Sequence, residues 1–296
     1  MITDRTSLAV VVNPAGAQAE ADVLAEHLDR SGIAASWLET TPDDPGVGQT
    51  GRAVADGANL VVACGGDGTV RACIQAAAGT DAAVGIMPAG TGNLLARNLG
   101  IPLDPQAACD VFQTGRRRRI DLGYANDEAF AVMAGIGIDA RIMRDTDSDA
   151  KKRFGPAAYV ATALAHLRDE RFTASLLVDG REQWAGRASS ILVANHGEVQ
   201  GGLSIFPDAS AHDGRLDSLV ATADGLAEWL RAAWAVLRDD PAAGPIQRFS
   251  GVSFVARTTA PVPYEIDGEE RDATTEVNFS VVPSAVSILV PKEDAK

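Results

Sequence analysis

The sequence predicts two domains of different fold class, an α/β domain with a doubly wound parallel sheet followed by an antiparallel β-sandwich. In the first 120 of the 296 residues, fully apolar runs alternate with segments of helical spacing, which is typical of a parallel sheet covered by helices. After residue 120, short strand-like runs are joined by Asp-Gly turns, which is typical of a sandwich. We expect the domains to be residues 1–120, with a returning C-terminal segment at about 285–296, and residues 121–284.

The first domain is predicted to alternate four strands with three helices. The apolar run 8–12 is a buried strand, and residues 17–31 follow as a helix. The other predicted elements are strands at 33–38, 60–64 and 83–87 and helices at 47–57 and 69–78. Strands in this order lie parallel, so their carboxyl ends are expected at one edge of the sheet, where open α/β sheets bind ligands.

The second domain is predicted to be mostly strands. The predicted strands are 121–125, 129–135, 172–178, 190–195, 216–221, 249–256 and 262–266. Two stretches, 151–168 and 225–238, have helical spacing. A last strand at 285–290 is expected to return to the first domain.

Charge and composition narrow the classes of function. The net charge is −14, which argues against duplex nucleic acid as a partner, because phosphate binding needs a basic face. Two basic runs, 116–119 and 151–153, either are solvated surface or contact anionic lipid headgroups. No apolar run approaches the roughly 18 residues of a membrane span. We therefore expect a cytoplasmic protein that makes only transient contact with a membrane surface.

A glycine-rich turn follows the predicted strand 60–64 and reads Gly65-Gly66-Asp67-Gly68-Thr69. Glycines let backbone N–H groups approach a phosphate closely, and the helix that follows adds its positive N-terminal end. The carboxylate of Asp67 would be repelled by phosphate unless a cation lay between them, so its presence predicts Mg²⁺. The pattern matches neither the P-loop nor the dinucleotide fingerprint, and an ordinary strand-to-helix turn is the alternative interpretation.

Two further turns are expected at the same edge of the sheet. They are Asn13-Pro14-Ala15-Gly16, after the first strand, and the run 88–93, which reads Pro-Ala-Gly-Thr-Gly-Asn. Thr91 and Asn93 offer a hydroxyl and an amide there. Together with the Gly65–Thr69 turn they predict a phosphate clamp.

These three turns resemble, in order and spacing, the motifs of the bacterial diacylglycerol kinase and YegS-like lipid kinases. The second half continues the resemblance, and its matching segments are 134–140, 152–159, 201–209, 213–217 and 266–269. The resemblance implies an NAD-kinase/diacylglycerol-kinase-like fold. It also implies an ATP-dependent lipid kinase that moves the γ-phosphate of ATP to the hydroxyl of a lipid alcohol, by default diacylglycerol, which gives phosphatidic acid.

The resemblance also implies roles for particular residues. The residues that would contact the nucleotide are Asn13, Pro14, Ala15, Gly16, Thr41, Gly65, Gly66, Asp67, Gly68, Thr69, Val70, Arg71, Gly90, Thr91 and Asn93. Asp67 would hold the catalytic Mg²⁺. A second, structural Mg²⁺ would be bound by Asp213 and the backbone carbonyls of Ser210 and Arg215. Either Asp267 or Glu269 would be the catalytic base.

Two departures from the family pattern bear on function. Leu94 stands where many members have Asp, and Leu203 replaces the third glycine of a Gly-Gly-Gly run. The alternatives to a lipid kinase are an NAD kinase-like enzyme with a soluble substrate and a non-catalytic module that senses nucleotide or lipid. The sequence lacks the Asn-Glu dipeptide expected of NAD kinases. The lipid and the oligomeric state, a homodimer included, stay open.

Overall fold

The structure is a computed structural model, and it describes residues 7–137, 171–199, 203–224, 228 and 245–292. The chain divides into two compact units, Met1–Asp121 with Ser284–Lys296, and Leu122–Pro283. The basic run 151–153 and, apart from residue 228, the predicted helices 151–168 and 225–238 lie outside the described residues. None of the helices described is long and apolar enough to cross a membrane.

The first unit is built on a parallel sheet. Its strands are β1 (Leu8–Val12), β2 (Ala35–Glu39), β3 (Leu60–Gly65) and β4 (Ala83–Pro88). Its helices are α1 (Gln18–Arg30), α2 (Val47–Ala55), α3 (Asp67–Ala77), α4 (Leu94–Asn98) and α5 (Pro105–Thr114). The strand order is β4-β3-β1-β2, and every pair is parallel. The predicted α/β class is therefore correct for this unit.

Burial explains why the apolar runs identified the central strands. Every residue of β1, β3 and β4 is buried, as expected for strands covered on both faces, whereas β2 is the edge strand and exposes Trp37. Leu24 of α1 and Phe112 of α5 complete this core. The three cysteines are also buried and free, and burial raises the pKa of the Cys64 thiol to about 12.

Two helices of the first unit were missed and one begins earlier than predicted. The short α4 and the longer α5 were not predicted, although α5 has clear start signals: Asp104 accepts the Ala107 N–H at its N-cap, and Pro105 follows. Helix α3 begins at Asp67 rather than at residue 69. The sequence analysis assigned Asp67 and Gly68 to the glycine-rich turn, whereas in the structure both belong to the first turn of the helix.

The second unit is antiparallel. Its strands are β6 (Glu128–Phe130), β7 (Met133–Ile136), β8 (Phe172–Val178), β9 (Arg181–Ala188), β10 (Ser190–Ala194), β11 (Glu198–Val199), β12 (Leu203–Ser204), β13 (Leu216–Ala221), β14 (Ile246–Gly251) and β15 (Ser253–Ile266). The strand order is β14-β13-β10-β7-β15, and β8 pairs with β15 and β9. The inner faces bury Phe130, Ile136, Leu176 and Phe254.

Two strands run from one unit into the other. They are β5 (Arg116–Ala125) and β16 (Glu269–Val290). The first part of β16 forms a hairpin with β15, and near its end Ser287 and Ile288 pair in parallel with Ala83 and Val84 of β4. The C-terminal strand therefore belongs to the sheet of the first unit.

Several predicted strand boundaries in the second unit were wrong. The predicted strand 129–135 is interrupted at residues 131–132, which separate β6 from β7. The strand predicted at 249–256 covers the end of β14 and the start of β15, and the strand predicted at 262–266 is the last part of β15. Strand β9 was not predicted. Strand β9 is mostly exposed, so it lacks the apolar alternation by which strands are recognised.

Candidate active site

The three predicted turns lie together at the carboxyl edge of the parallel sheet. The Asn13 N–H donates to the Cys64 carbonyl at 3.0 Å, which joins the turn after β1 to the end of β3. The Ala89 N–H donates to the Gly65 carbonyl at 3.0 Å, which joins the turn after β4 to the same strand end. Within the first turn, the Asn13 side chain accepts the Ala15 N–H. Backbone hydrogen bonds thus connect all three turns.

The turns after β3 and β4 touch at glycines. A Cβ on Gly90 would lie only 2.7 Å from the Cα of Gly66, and a Cβ on Gly66 would lie 3.4 Å from the Cα of Gly90. Carbon atoms are normally 3.5–4.0 Å apart at optimal contact. A side chain at Gly90 would therefore push the two turns apart.

Asp67 links the same two turns through its carboxylate. Its Oδ2 accepts the Asn93 N–H at 2.9 Å and its Oδ1 accepts the Leu94 N–H at 2.6 Å, so it caps α4 from another element. A Cβ on Gly92 would meet Asp67 Oδ2 at 2.7 Å, which accounts for a glycine there. Sequence reasoning assigned Asp67 to Mg²⁺ and missed this role, because its partners are 26 and 27 residues away.

Asn93 closes the turn that Asp67 holds. The Gly90 N–H donates to Asn93 Oδ1 at 2.9 Å, and Asn93 Nδ2 donates to the Gly90 carbonyl at 2.6 Å. The backbone of Asn93 is left-handed, with φ +48°, a conformation that asparagine tolerates better than most residues. Leu94, the departure from the family pattern, is buried and cannot act as a ligand.

The N-terminus of α3 has no side-chain cap. The first N–H groups of a helix have no acceptor within it, and the N-cap residue Gly66 supplies no side chain in their place. Thr69 packs over Gly65, where a Cβ would lie 2.7 Å from the Thr69 Cβ, while Val70 and Arg71 are buried. Thr91 is exposed on the neighbouring turn. The first turn of α3 thus has the donors and the close glycine approach that a phosphate requires.

Thr41 lies after β2, the edge strand beside β1. It forms a tight turn in which its N–H donates to the Asp44 carbonyl at 3.0 Å and its Oγ accepts the Asp44 N–H at 3.1 Å. Since β2 is parallel to β1, Thr41 shares the carboxyl edge with the glycine turns. The structure therefore places every predicted nucleotide contact on that edge or in the first turns of α3.

The donor set at Asp67 fits Mg²⁺. The two carboxylate oxygens of Asp67 accept the Asn93 and Leu94 N–H groups, and carboxylate oxygen is a ligand that Mg²⁺ prefers. Among the residues that the structure describes, no three His, Cys, Asp or Glu side chains cluster as a metal site. The remaining ligands would have to be phosphate oxygens and water, as is usual for Mg²⁺ beside a nucleotide.

The turn predicted to hold a structural Mg²⁺ is at residues 210–215. Asp213 Oδ1 accepts the Arg215 N–H at 2.9 Å, and Gly214 has φ +72°. Burial raises the pKa of the nearby Asp217 carboxyl, and repulsion from Asp213 and Asp208 raises it further. A cation would relieve that repulsion, so the oxygen donors fit Mg²⁺ here too.

Asp267 is held in a buried turn between β15 and β16. Its Oδ2 accepts the Ala131 N–H at 2.8 Å, and its Oδ1 accepts the Val132 and Met133 N–H groups at 2.9 and 3.0 Å. The Asp267 N–H donates back to the Met133 carbonyl at 2.9 Å. This set of bonds turns the chain between β6 and β7, which is why the strand predicted at 129–135 is interrupted.

Glu269, two residues further on, has a different environment. Its side chain is 50 % exposed and forms an ion pair with Arg271 at 3.2 Å, and Arg271 also pairs with Glu128. Of the two predicted candidates for the base, Glu269 is the accessible one, whereas Asp267 is 8 % exposed and accepts three backbone N–H groups.

Two buried polar residues that sequence reasoning missed support the bend that Asp267 holds. Asn195 Nδ2 donates to the Ala131 carbonyl at 3.2 Å, and His196 Nδ1 lies 2.9 Å from the same oxygen. A carbonyl can only accept, so His196 carries its proton on Nδ1. Neither residue belongs to a spacing that sequence reasoning could have used.

The basic run 116–119 contacts the opposite edge of the first unit's sheet. Arg117 donates to the carbonyls of Asp81 and Asn59, which precede β4 and β3, and Arg119 donates to the Ser284 carbonyl. These arginines bind main-chain carbonyls at the amino ends of the strands, away from the glycine turns.

Comparisons with known proteins agree with this geometry. Residues 7–125 match the family model of the diacylglycerol kinase catalytic domain, and residues 132–290 match that of the YegS C-terminal NAD kinase beta sandwich-like domain. A diacylglycerol kinase of Mycobacterium tuberculosis is 36 % identical over 186 residues, which is 60 % of each chain. A Pseudomonas putida protein named "Probable lipid kinase YegS-like" is 34 % identical over 173 residues, 58 % of each chain. These matches therefore span less than two thirds of the relatives.

The fold is shared with a solved structure. A diacylglycerol kinase of Bacillus anthracis superposes with a TM-score of 0.76 at 20 % identity, covering 98 % of each chain. That likeness bears on the fold alone, and it agrees with the α/β unit and the antiparallel unit described above. The two matched models cover most of the chain, one for each part, and the chain therefore belongs to the diacylglycerol kinase family of the YegS-like type.

Proposed function

We propose that the protein is an ATP-dependent lipid kinase that transfers the γ-phosphate of ATP to the hydroxyl of a lipid alcohol, with diacylglycerol as the first candidate. The observation that carries this proposal is the joined pair of glycine turns beside the uncapped N-terminus of α3. Membership of a kinase family supports it. The lipid substrate of the relatives named above is the reason for choosing a lipid alcohol.

The first unit would bind the nucleotide, with a boundary near residue 120 and the C-terminal strand included. Phosphate oxygens would accept N–H groups from the first turn of α3, and Thr91, Thr41 and the Asn13–Gly16 turn would contact other parts of the nucleotide. Mg²⁺ bound at Asp67 would neutralise phosphate charge during transfer. Asp67 would thus both orient the cation and keep the two glycine turns at their spacing.

The second unit, about residues 121–284, would supply the proton acceptor and bind the lipid. Glu269 is accessible and would accept the proton of the attacking hydroxyl, while Asp267 would hold the turn that presents it. A Mg²⁺ at Asp213, with the carbonyls of Ser210 and Arg215, would be structural. Since the substrate resides in a bilayer, the enzyme would work by transient contact with the membrane surface.

The test is an ATP-consumption screen with Mg²⁺. Mixed micelles would present diacylglycerol, monoacylglycerol, a sphingoid base or phosphatidylglycerol, and NAD would be the soluble alternative. We expect phosphorylation of at least one lipid, loss of turnover in Glu269→Gln, and wild-type turnover in Glu270→Gln, an exposed neighbour. Phosphorylation of NAD and of no lipid would overturn the proposal. Absence of any turnover would also overturn it and would favour the non-catalytic module that senses nucleotide or lipid.

A further inference from the structure

Glu265 is a buried carboxyl that the reaction described above does not use. It lies on β15, two residues before Asp267, and its side chain is fully buried. Its Oε2 accepts the Gly268 N–H at 2.7 Å, so Glu265 is hydrogen-bonded to the middle residue of the Asp267–Glu269 turn.

The other oxygen of Glu265 lies beside Gly135. Glu265 is directly opposite Gly135 of β7, and a Cβ on Gly135 would lie 3.6 Å from Glu265 Oε1 and 2.5 Å from Leu192 of β10. The missing side chain of Gly135 therefore makes room for Leu192, and Glu265 Oε1 lies at ordinary contact distance from the same position. Among the residues that the structure describes, Oε1 has no hydrogen-bond partner.

A charge at this position would be poorly compensated. Burial is the largest cause and raises the pKa of Glu265 to about 8. The Gly268 N–H lowers that pKa, the Asp267 carboxylate raises it and Arg271 lowers it, each by less than burial does. Strands β7 and β10 contain no ionisable residue. Since an unpaired buried carboxylate is costly, ionisation favours any movement that brings water to Oε1.

We propose that Glu265 is a positioning residue for phosphate transfer: while neutral, its carboxyl stays buried and holds the Asp267–Glu269 turn through the Gly268 N–H, whereas ionisation draws the carboxyl toward water, which loosens that turn and slows the reaction. This inference rests on the proposed function, because the turn carries the proton acceptor. It adds to it a residue that contacts neither substrate nor nucleotide, and a reason for activity to fall at alkaline pH.

The experiment compares wild type with Glu265→Gln, which keeps an acceptor for the Gly268 N–H and cannot ionise. Turnover of a short-chain diacylglycerol in detergent micelles with Mg·ATP is measured from pH 6 to pH 9.5. With an ionisation near pH 8, wild-type kcat should fall about tenfold between pH 7 and pH 9, with the KM for ATP unchanged. Glu265→Gln should lose less than twofold over the same range.

Glu270→Gln is the matched control. Glu270 is the exposed residue paired with Glu265 across the hairpin, and this variant should follow the wild-type profile. A high-pH loss in Glu265→Gln equal to that of wild type would overturn the proposal. So would a flat wild-type profile.

A second measurement does not need activity. The backbone amide resonance of Gly268 should titrate near pH 8 in wild type and in Glu270→Gln, and not in Glu265→Gln. If no lipid is phosphorylated, the kinase proposal fails while this titration still tests Glu265. An amide that titrates without any change in kcat would disprove the link to catalysis, and an amide that does not titrate would disprove the ionisation.

Discussion

The contact between Gly66 and Gly90 makes Gly90→Ala a direct test of how the two glycine turns are joined. The new Cβ would lie 2.7 Å from Gly66 Cα and 3.1 Å from Asn93 Oδ1. The φ of Gly90 is not in the left-handed region, so the expected effect of alanine comes from this close contact. Gly66 Cα is main chain, so the clash cannot be relieved by rotating a side chain.

The expected cost follows from the overlap. Carbon–carbon contacts are normally about 3.5–4.0 Å, so the turns must separate by roughly 1 Å, and overpacking of this kind costs about 1–3 kcal/mol. That separation would also stretch the two hydrogen bonds from Asn93 and Leu94 to Asp67. We therefore expect Gly90→Ala to lower the free energy of unfolding by about 1–3 kcal/mol and to weaken Mg·ATP binding at least tenfold.

The assay is urea unfolding together with calorimetric titration of Mg·ATP. Gly51→Ala is the matched control, because Gly51 is exposed in α2 with nothing within 4 Å of a new Cβ. Alanine is the better helix former, so this variant should gain about 0.5–1 kcal/mol and bind nucleotide as wild type does. Wild-type stability and affinity in Gly90→Ala would refute the close contact between the turns.

Three further outcomes are expected. Asp67→Ala should lose Mg²⁺-dependent activity. Its free energy of unfolding in urea should be about 1–3 kcal/mol lower, because two N–H groups lose their acceptor. Unchanged activity would show that Asp67 is not part of the nucleotide site. Asp267→Asn places an NH₂ group against backbone N–H donors, so it should lower the free energy of unfolding by about 1–3 kcal/mol. It should also abolish phosphate transfer while ATP binding stays intact. Near-normal turnover would exclude Asp267 from catalysis. Glu265 keeps its proton up to about pH 8 in the folded protein, whereas the unfolded chain loses it near pH 4.5. Between these two pH values the free energy of unfolding of the wild type should therefore fall, relative to that of Glu265→Gln, by up to about 1.4 kcal/mol per pH unit. Parallel stability curves of the two proteins in thermal unfolding would contradict this.

The short-range signals of the sequence led to most of the first unit. The runs at β1, β3 and β4 were recognisable because strands buried on both faces are apolar throughout, and the turns after them because glycine and proline end such runs. Where one face is exposed the signal weakened, so β9 was missed. Helix α4 was missed because it is only five residues long and depends on the Asp67 carboxylate.

The sequence by itself determined the alternation of β1 to β4 with α1 to α3, the parallel sheet, the position of the glycine turns at one edge and the choice of candidate acidic residues. Only the tertiary structure decided what those acids contact. Asp67 caps a helix 27 residues away, Asp267 bonds to main chain about 135 residues away, and Glu265 lies opposite Gly135 on a neighbouring strand. Strand register and the packing of distant segments set these contacts, and local residue patterns do not encode them.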